Sequence, residues 1–361
     1  MNTKDLYHES STVKRRKVVS FFALSLSTAA AFFGLFWLIF ILFDVLRHGI
    51  QGLNLELFTE DPAPPGIPGG GLRNAFVGQL EIVFFATIIG IPLGILAGTF
   101  IAEYARGTKF AKVVSILSDI MVSVPSIVVG TFIYAILVKP IGHINYGGAI
   151  AVLFLSALIA IIVGGVLNFI VNKIFSIKNP SVGRIVGLLI SLLSVLVGVF
   201  SFVFFINTLV DRIQGFNGWA GAVSLAFIMI PVVLRTTEDM LSLVPWTLRE
   251  AAFALGASYF RVIKDVVYKA AATGILTGVI LSISRVAGET APLLFTSFNN
   301  SYFTMNMNES IASITVTIFN YAMGPYEDWH VKAWAASFVI TFFILIVTII
   351  SKWIVHIRFK G

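Results

Sequence analysis

Arg235 and Glu238 stand three residues apart, and Arg285 and Glu289 four apart, inside two otherwise apolar stretches. On a helix, both intervals put the partners on one face. Thr236 and Thr237 follow the first arginine, and Ser284 and Thr290 bracket the second pair. A guanidinium is a planar fork of donors that fits two oxygens of a tetrahedral anion; hydroxyls extend the donor set, and a carboxylate can accept from an anion that keeps a proton. The chemistry these residues can do is therefore reversible capture of an oxyanion. A proton-bearing ion such as phosphate is favoured over a fully ionised one such as sulfate. The competing account is that each pair merely neutralises itself so that its helix can enter lipid, or that Arg235 reaches back to the aqueous surface. Two separate helices arriving at the same combination of fork, acid and hydroxyl weigh against it.

Covalent chemistry has no candidate here. The chain lacks cysteine, and His8, His48, His143, His330 and His356 fall in unrelated segments without metal-ligand spacing, so neither a metal nor a cofactor is expected. No G-x-x-x-x-G-K-[ST] stretch occurs, so any ATP used must bind another subunit.

The elements that position the two arginines follow from composition. Of 361 residues, 57% are hydrophobic and only 12% charged, with a mean hydropathy of +0.93, which is more apolar surface than one water-soluble core can hide. Eight apolar segments, near 17–45, 76–102, 114–138, 147–171, 185–209, 217–240, 270–297 and 332–355, are long enough to span a bilayer, and in lipid each must be a helix. The first continues well past Ala29, Ala30 and Ala31, too far for a signal peptide, and reads as a retained span. Alternate loops hold 18 lysines and arginines on one side, against Arg47, Arg73, Lys139, Arg212 and Lys332 on the other. That bias places both termini in the cytoplasm of a multi-pass plasma or inner membrane protein. It also explains the net charge of +7 and the pI of about 9.6 without nucleic acid.

Gly90, Gly94 and Gly98 recur every four residues and predict a face where another helix backbone approaches closely. Asp61 to Gly71, rich in proline and glycine, reads as an extended outer connection. Asn299 and Asn308 begin Asn-x-Ser sequons in the last outer loop, and both read as chance.

The longest inner connection, about 246–269, is helix-prone from Arg249 to a break at Gly256, and it offers Phe253, Tyr259 and Phe260 to a partner's groove. A helix lying in the membrane interface is the plainer reading of the same stretch. Glu250, Ala251 and Ala252 followed by Gly256 resemble the EAA loop of the permeases of ATP-binding-cassette (ABC) importers. Leu234-Arg235-Thr236-Thr237-Glu238 and Ala287-Gly288-Glu289-Thr290-Ala291-Pro292-Leu293-Leu294-Phe295-Thr296 look like the phosphate-specific PstA family rather than its PstC partner family. Further matches are Pro92-Leu93-Gly94, Ala102-Glu103-Tyr104, Ser123 to Val128, and Pro325 to His330.

The resemblance implies an all-α polytopic membrane bundle of the type I importer kind, with six core helices plus an inserted hairpin at 143–214. A segment 1–16 lies ahead of the membrane, and 17–142 and 215–361 form the two parts of the permease. It also implies inward movement of inorganic phosphate with no catalysis by this chain. Implied partners are a second, PstC-like permease, two copies of a PstB-like ATPase docking at Glu250 to Asp265, and a PstS-like phosphate-binding protein outside, with membrane lipid around the bundle. By motif, Arg235, Glu238 and Arg285 carry the family's phosphate-handling positions, with Thr236, Glu289 and Thr290 beside them. Rival readings are a permease for sulfate, molybdate or phosphonate, and a secondary transporter driven by an ion gradient. Where the family's loop ends in Leu-Pro, this chain has Val266-Val267-Tyr268-Lys269, so its entry into the next span is expected to differ.

Overall fold

The computed structural model describes residues 11–139, 146–175, 180–206 and 215–358. The expected segment ahead of the first span and the ends of the 143–214 stretch fall partly outside them. Among the described residues, seven helices are long and apolar enough to cross a membrane, or eight if one sharply bent helix pair counts as a span. Among the described residues, no strand forms beyond an isolated bridge between Pro62 and Gly70.

Helix α1 (Ser11–Gln51) is followed by a single turn, α2 (Glu56–Thr59), and by α3 (Arg73–Thr99), which ends in a π-helical turn at Phe100–Tyr104. The next crossing is α4 (Lys109–Ser123) and α5 (Ser126–Ile133, running on in π form to Val138). The 114–138 segment is thus not the straight span expected from its apolar length, because α4 and α5 meet at 101°. Pro125 is the cause: it lacks an N–H and forces the preceding residue out of the helical region, and Val124 is accordingly extended, with ψ 131°.

Helices α6 (Tyr146–Phe175) and α7 (Pro180–Phe205) form a hairpin closed by small residues. Gly164 lies against Ser194, and Gly198 against Ala160. Helix α8 (Gly218–Ser242) is the most enclosed of the spans, with α3, α4, α5 and α11 (Tyr268–Ala287) packed around it. The glycine stripe of α3 serves as read. A Cβ on Gly94 would lie 2.7 Å from the Val233 Cβ, and one on Gly98 would lie 2.5 Å from the Leu234 carbonyl oxygen.

The seventh segment is displaced from its expected bounds of 270–297. Helix begins at α10 (Tyr259–Arg261) after the short α9 (Trp246–Ala254), passes through a π segment at Val262–Val267, and continues as α11 only to Ala287. Val266-Val267-Tyr268-Lys269 has no proline to stop it, so the 246–258 loop runs straight into the span. At the other end the chain breaks at Gly288, forms α12 (Ala291–Thr296) and returns as α13 (Ile314–Ala322). The expected last outer loop is therefore partly core: Ile311, Ala312, Ser313 and Val316 are buried, and the Ala312 carbonyl sits where a side chain on Gly78 would be. The stretch is too short to register as a span and too apolar to stay in water.

Helix α14 (Glu327–Arg358) packs along α1, with His48 stacked on Trp334 and Gly49 and Gly52 meeting Phe338 and Val331. Ahead of that clasp the apolar length of α1 is exposed, as befits side chains facing lipid.

Candidate functional site

Arg235 projects from α8 seven residues before its end. Its Nη1 donates to the Glu238 Oε2 at 3.1 Å, one turn on, while its Nε lies 3.5 Å from the Asp119 Oδ1 on α4 and 3.8 Å from the Asp239 Oδ1. Glu238 also accepts from the Ser115 Oγ of α4 at 2.8 Å. Ser118 fastens α4 to α8 by donating to the Pro231 carbonyl. One cation is thus ringed by three carboxylates, and about 40% of its side chain is exposed. The neighbouring hydroxyls are not where the sequence reading put them. Thr236 donates to its own helix at the Val232 carbonyl and presses its methyl group toward Gly278. Thr237 is fully buried against Gly98.

The second pair is looser. Arg285 belongs to α11, but Glu289 lies beyond the helix end, in the break before α12, and the Arg285 Nε to Glu289 Oε1 distance is 3.9 Å. The two residues do not share one helix face as the spacing suggested, because Gly288 ends the helix between them. The Glu289 carbonyl is held by the Thr315 Oγ1 of α13 at 2.9 Å. Ser284 points to Thr348 of α14, and Thr290 sits at the start of α12 without capping it.

Helices α8 and α11 are antiparallel, since Met240 packs on Gly274 and Thr236 on Gly278. Arg285 is seven residues beyond Gly278, so the Cα atoms of the two arginines lie about 10 Å apart along the helix axes. Arg235 is nearer the 243–258 loop. Among the described residues, no ion pair joins one cluster to the other. The arrangement is two separate charged clusters at different levels of the bundle rather than one.

In the loop, α9 ends in the pattern its glycine predicts. Gly256 takes φ +78°, its N–H donates to the Phe253 carbonyl, and the Ala257 N–H donates to that of Ala252, a left-handed cap that only glycine adopts without strain. Glu250, Ala251 and Gly256 are exposed. Phe253 instead turns inward with Ala252, joining Leu241, Val244, Val262 and Val267, and it stacks on Tyr259. Outward apolar groups here include Trp246, Leu248, Leu255 and Phe260. Beneath them Arg249 is buried, with its Nη2 2.6 Å from the Glu103 Oε1.

Asp119, Ser115 and the Glu103–Arg249 pair were missed as site residues in the sequence reading. A carboxylate inside an apolar run signals Asp119, and equally Glu81 of α3, whose Oε2 is buried with no partner. Nothing local signals the pairing of Glu103 with Arg249.

The model for binding-protein-dependent transport system inner membrane components matches residues 174–358. A phosphate transport system permease protein PstA of Yersinia pestis is 39% identical over 91% of this chain and 88% of its own length. One of Pasteurella multocida is also 39% identical, over 93% and 94%. Among solved structures, a chain of an inward-facing MetNI methionine ABC transporter superposes with a TM-score of 0.50 at 13% identity, covering 79% of this chain and 94% of that one; this likeness concerns the fold. With its bundle of crossing helices and its glycine-capped Glu-Ala-Ala loop, the chain belongs to the binding-protein-dependent transport system inner membrane components, and among them to the PstA permease family.

Proposed function

We propose that this chain moves inorganic phosphate into the cell as one permease of an ABC importer, with both termini in the cytoplasm. The observation that carries the reading is the pair of half-exposed arginine clusters, at two depths of the bundle, in a chain that is 39% identical to phosphate permeases. A lone cation inside a span is costly, whereas one that hands an anion between stations gives the cost a purpose. Arg285 receives the ion near the outer end, Arg235 passes it on toward the docking-loop side, and Glu238 and Glu289 each accept a hydrogen bond from its P–OH group. A second permease completes the route opposite these arginines, a phosphate-binding protein delivers the ion, and an ATPase dimer docks on the exposed side of α9, at Glu250, Ala251 and Leu255.

Co-purification followed by reconstitution tests this. The expected result is recovery of an ATPase subunit and a second permease, with phosphate uptake that requires ATP. Uptake driven by a proton or sodium gradient without ATP would overturn the reading. Selectivity gives a finer test: Glu238→Gln and Glu289→Gln are each expected to weaken the preference for phosphate over sulfate, as read by competition in the uptake assay. An undiminished preference in both variants would remove the carboxylates from selectivity.

A further inference from the structure

The end of α3 is bolted to the docking loop at one buried point. Arg249 of α9 has 1% of its side chain exposed and Glu103 has 2%, and they meet at 2.6 Å. The same guanidinium donates to the carbonyls of Val244 at 2.5 Å and Leu241 at 3.0 Å, so it also caps the last turn of α8. Two further bonds run between the same bodies. The Tyr259 hydroxyl donates to the Glu103 carbonyl at 2.8 Å, and the Thr99 and Tyr268 hydroxyls share a bond of 2.5 Å. Glu103 lies in the π turn that closes α3, five residues beyond Gly98. Gly98 in turn touches Leu234, Thr237 and the Glu238 backbone. These contacts form an unbroken chain from α9 to the segment of α8 that carries Arg235 and Glu238.

We infer that Glu103 and Arg249 are positioning residues that transmit ATPase movement at α9 to the Arg235 cluster, by making the ends of α3 and α8 move with the docking helix. The inference rests on the reading of α9 as the ATPase contact. A fork is required because Arg249 must hold a carboxylate and the α8 carbonyls at once, which a lysine ammonium does with less geometric control. Neither residue is on the exposed docking side of α9, so their loss leaves the docking surface in place while loosening what lies beneath it.

The assembled transporter in proteoliposomes provides the test, with ATP hydrolysed and phosphate taken up measured on the same preparation. For Glu103→Gln we expect ATPase subunit recovery like that of the unmodified complex, hydrolysis within about 2-fold of it, and phosphate moved per ATP reduced by about 10-fold, because a buried charge has lost its counter-charge. Arg249→Lys is expected to uncouple in the same direction, and Glu103→Asp, which keeps the charge, to restore part of the yield. An unchanged phosphate-to-ATP ratio in both Glu103→Gln and Arg249→Lys overturns the inference. If either variant fails to assemble, the other and Glu103→Asp decide by the same ratio. Failure of the unmodified chain to recover any ATPase subunit would instead overturn the docking reading beneath it.

Discussion

In proteoliposomes carrying the assembled transporter, Arg235→Gln lowers the initial rate of phosphate uptake by at least about 100-fold, the sum of a lost charge-assisted bond and new repulsion from three carboxylates. Asp119, Glu238 and Asp239 all lie within 4 Å of the guanidinium. Once it is gone they present only negative charge to an approaching anion. Arg235→Lys retains the charge but not the fork, and a fall of about 10-fold is expected. Adding Asp119→Asn and Asp239→Asn to Arg235→Gln should recover part of the rate, since both remove repulsion. Uptake is to be compared at equal amounts of intact complex. A rate for Arg235→Gln above about a third of the unmodified one would show that phosphate does not use this station.

The second large effect is on folding and comes from the α3–α8 contact. Alanine at Gly90, Gly94 and Gly98 should destabilise in rising order, because what the added methyl meets becomes less able to yield. At Gly90 it meets the flexible Met229 side chain at 3.1 Å; at Gly94, the branched Val233 at 2.7 Å; at Gly98, the Leu234 backbone oxygen at 2.5 Å. Overpacking of this kind costs about 1–3 kcal/mol, with the backbone clash at the upper end or above. Thermal unfolding of the purified chain in detergent reads the order directly. Equal midpoints for all three variants, or Gly90→Ala as the worst, would mean that the two helices do not touch along this stripe.

What was legible in the sequence divides along the range of the interactions. The glycine stripe could be read because its period is that of one helix and its partner needs no identity. The cap at Gly256 could be read because the left-handed turn is a property of a few consecutive residues. The arginine clusters were half legible. Arg235 and Glu238 are local, but Ser115 and Asp119 arrive from more than a hundred residues away, and no spacing rule brings them there. Glu103 with Arg249 is the same case. Three expectations failed for local reasons that length arguments overrode. Pro125 breaks a run apolar enough to be one span, Gly288 cuts Glu289 off from the helix of Arg285, and the apolar stretch around Ile314 is shorter than any span yet still buries itself.

The uninterrupted course of the chain from Tyr259 to Ala287 has a mechanical consequence. A rod of 29 residues measures about 40 Å, and tilting its foot by ten degrees swings its head by about 7 Å. The head carries Arg285. A modest rocking at its foot can thus withdraw or present a positive charge at its far end, with every backbone bond of the rod intact.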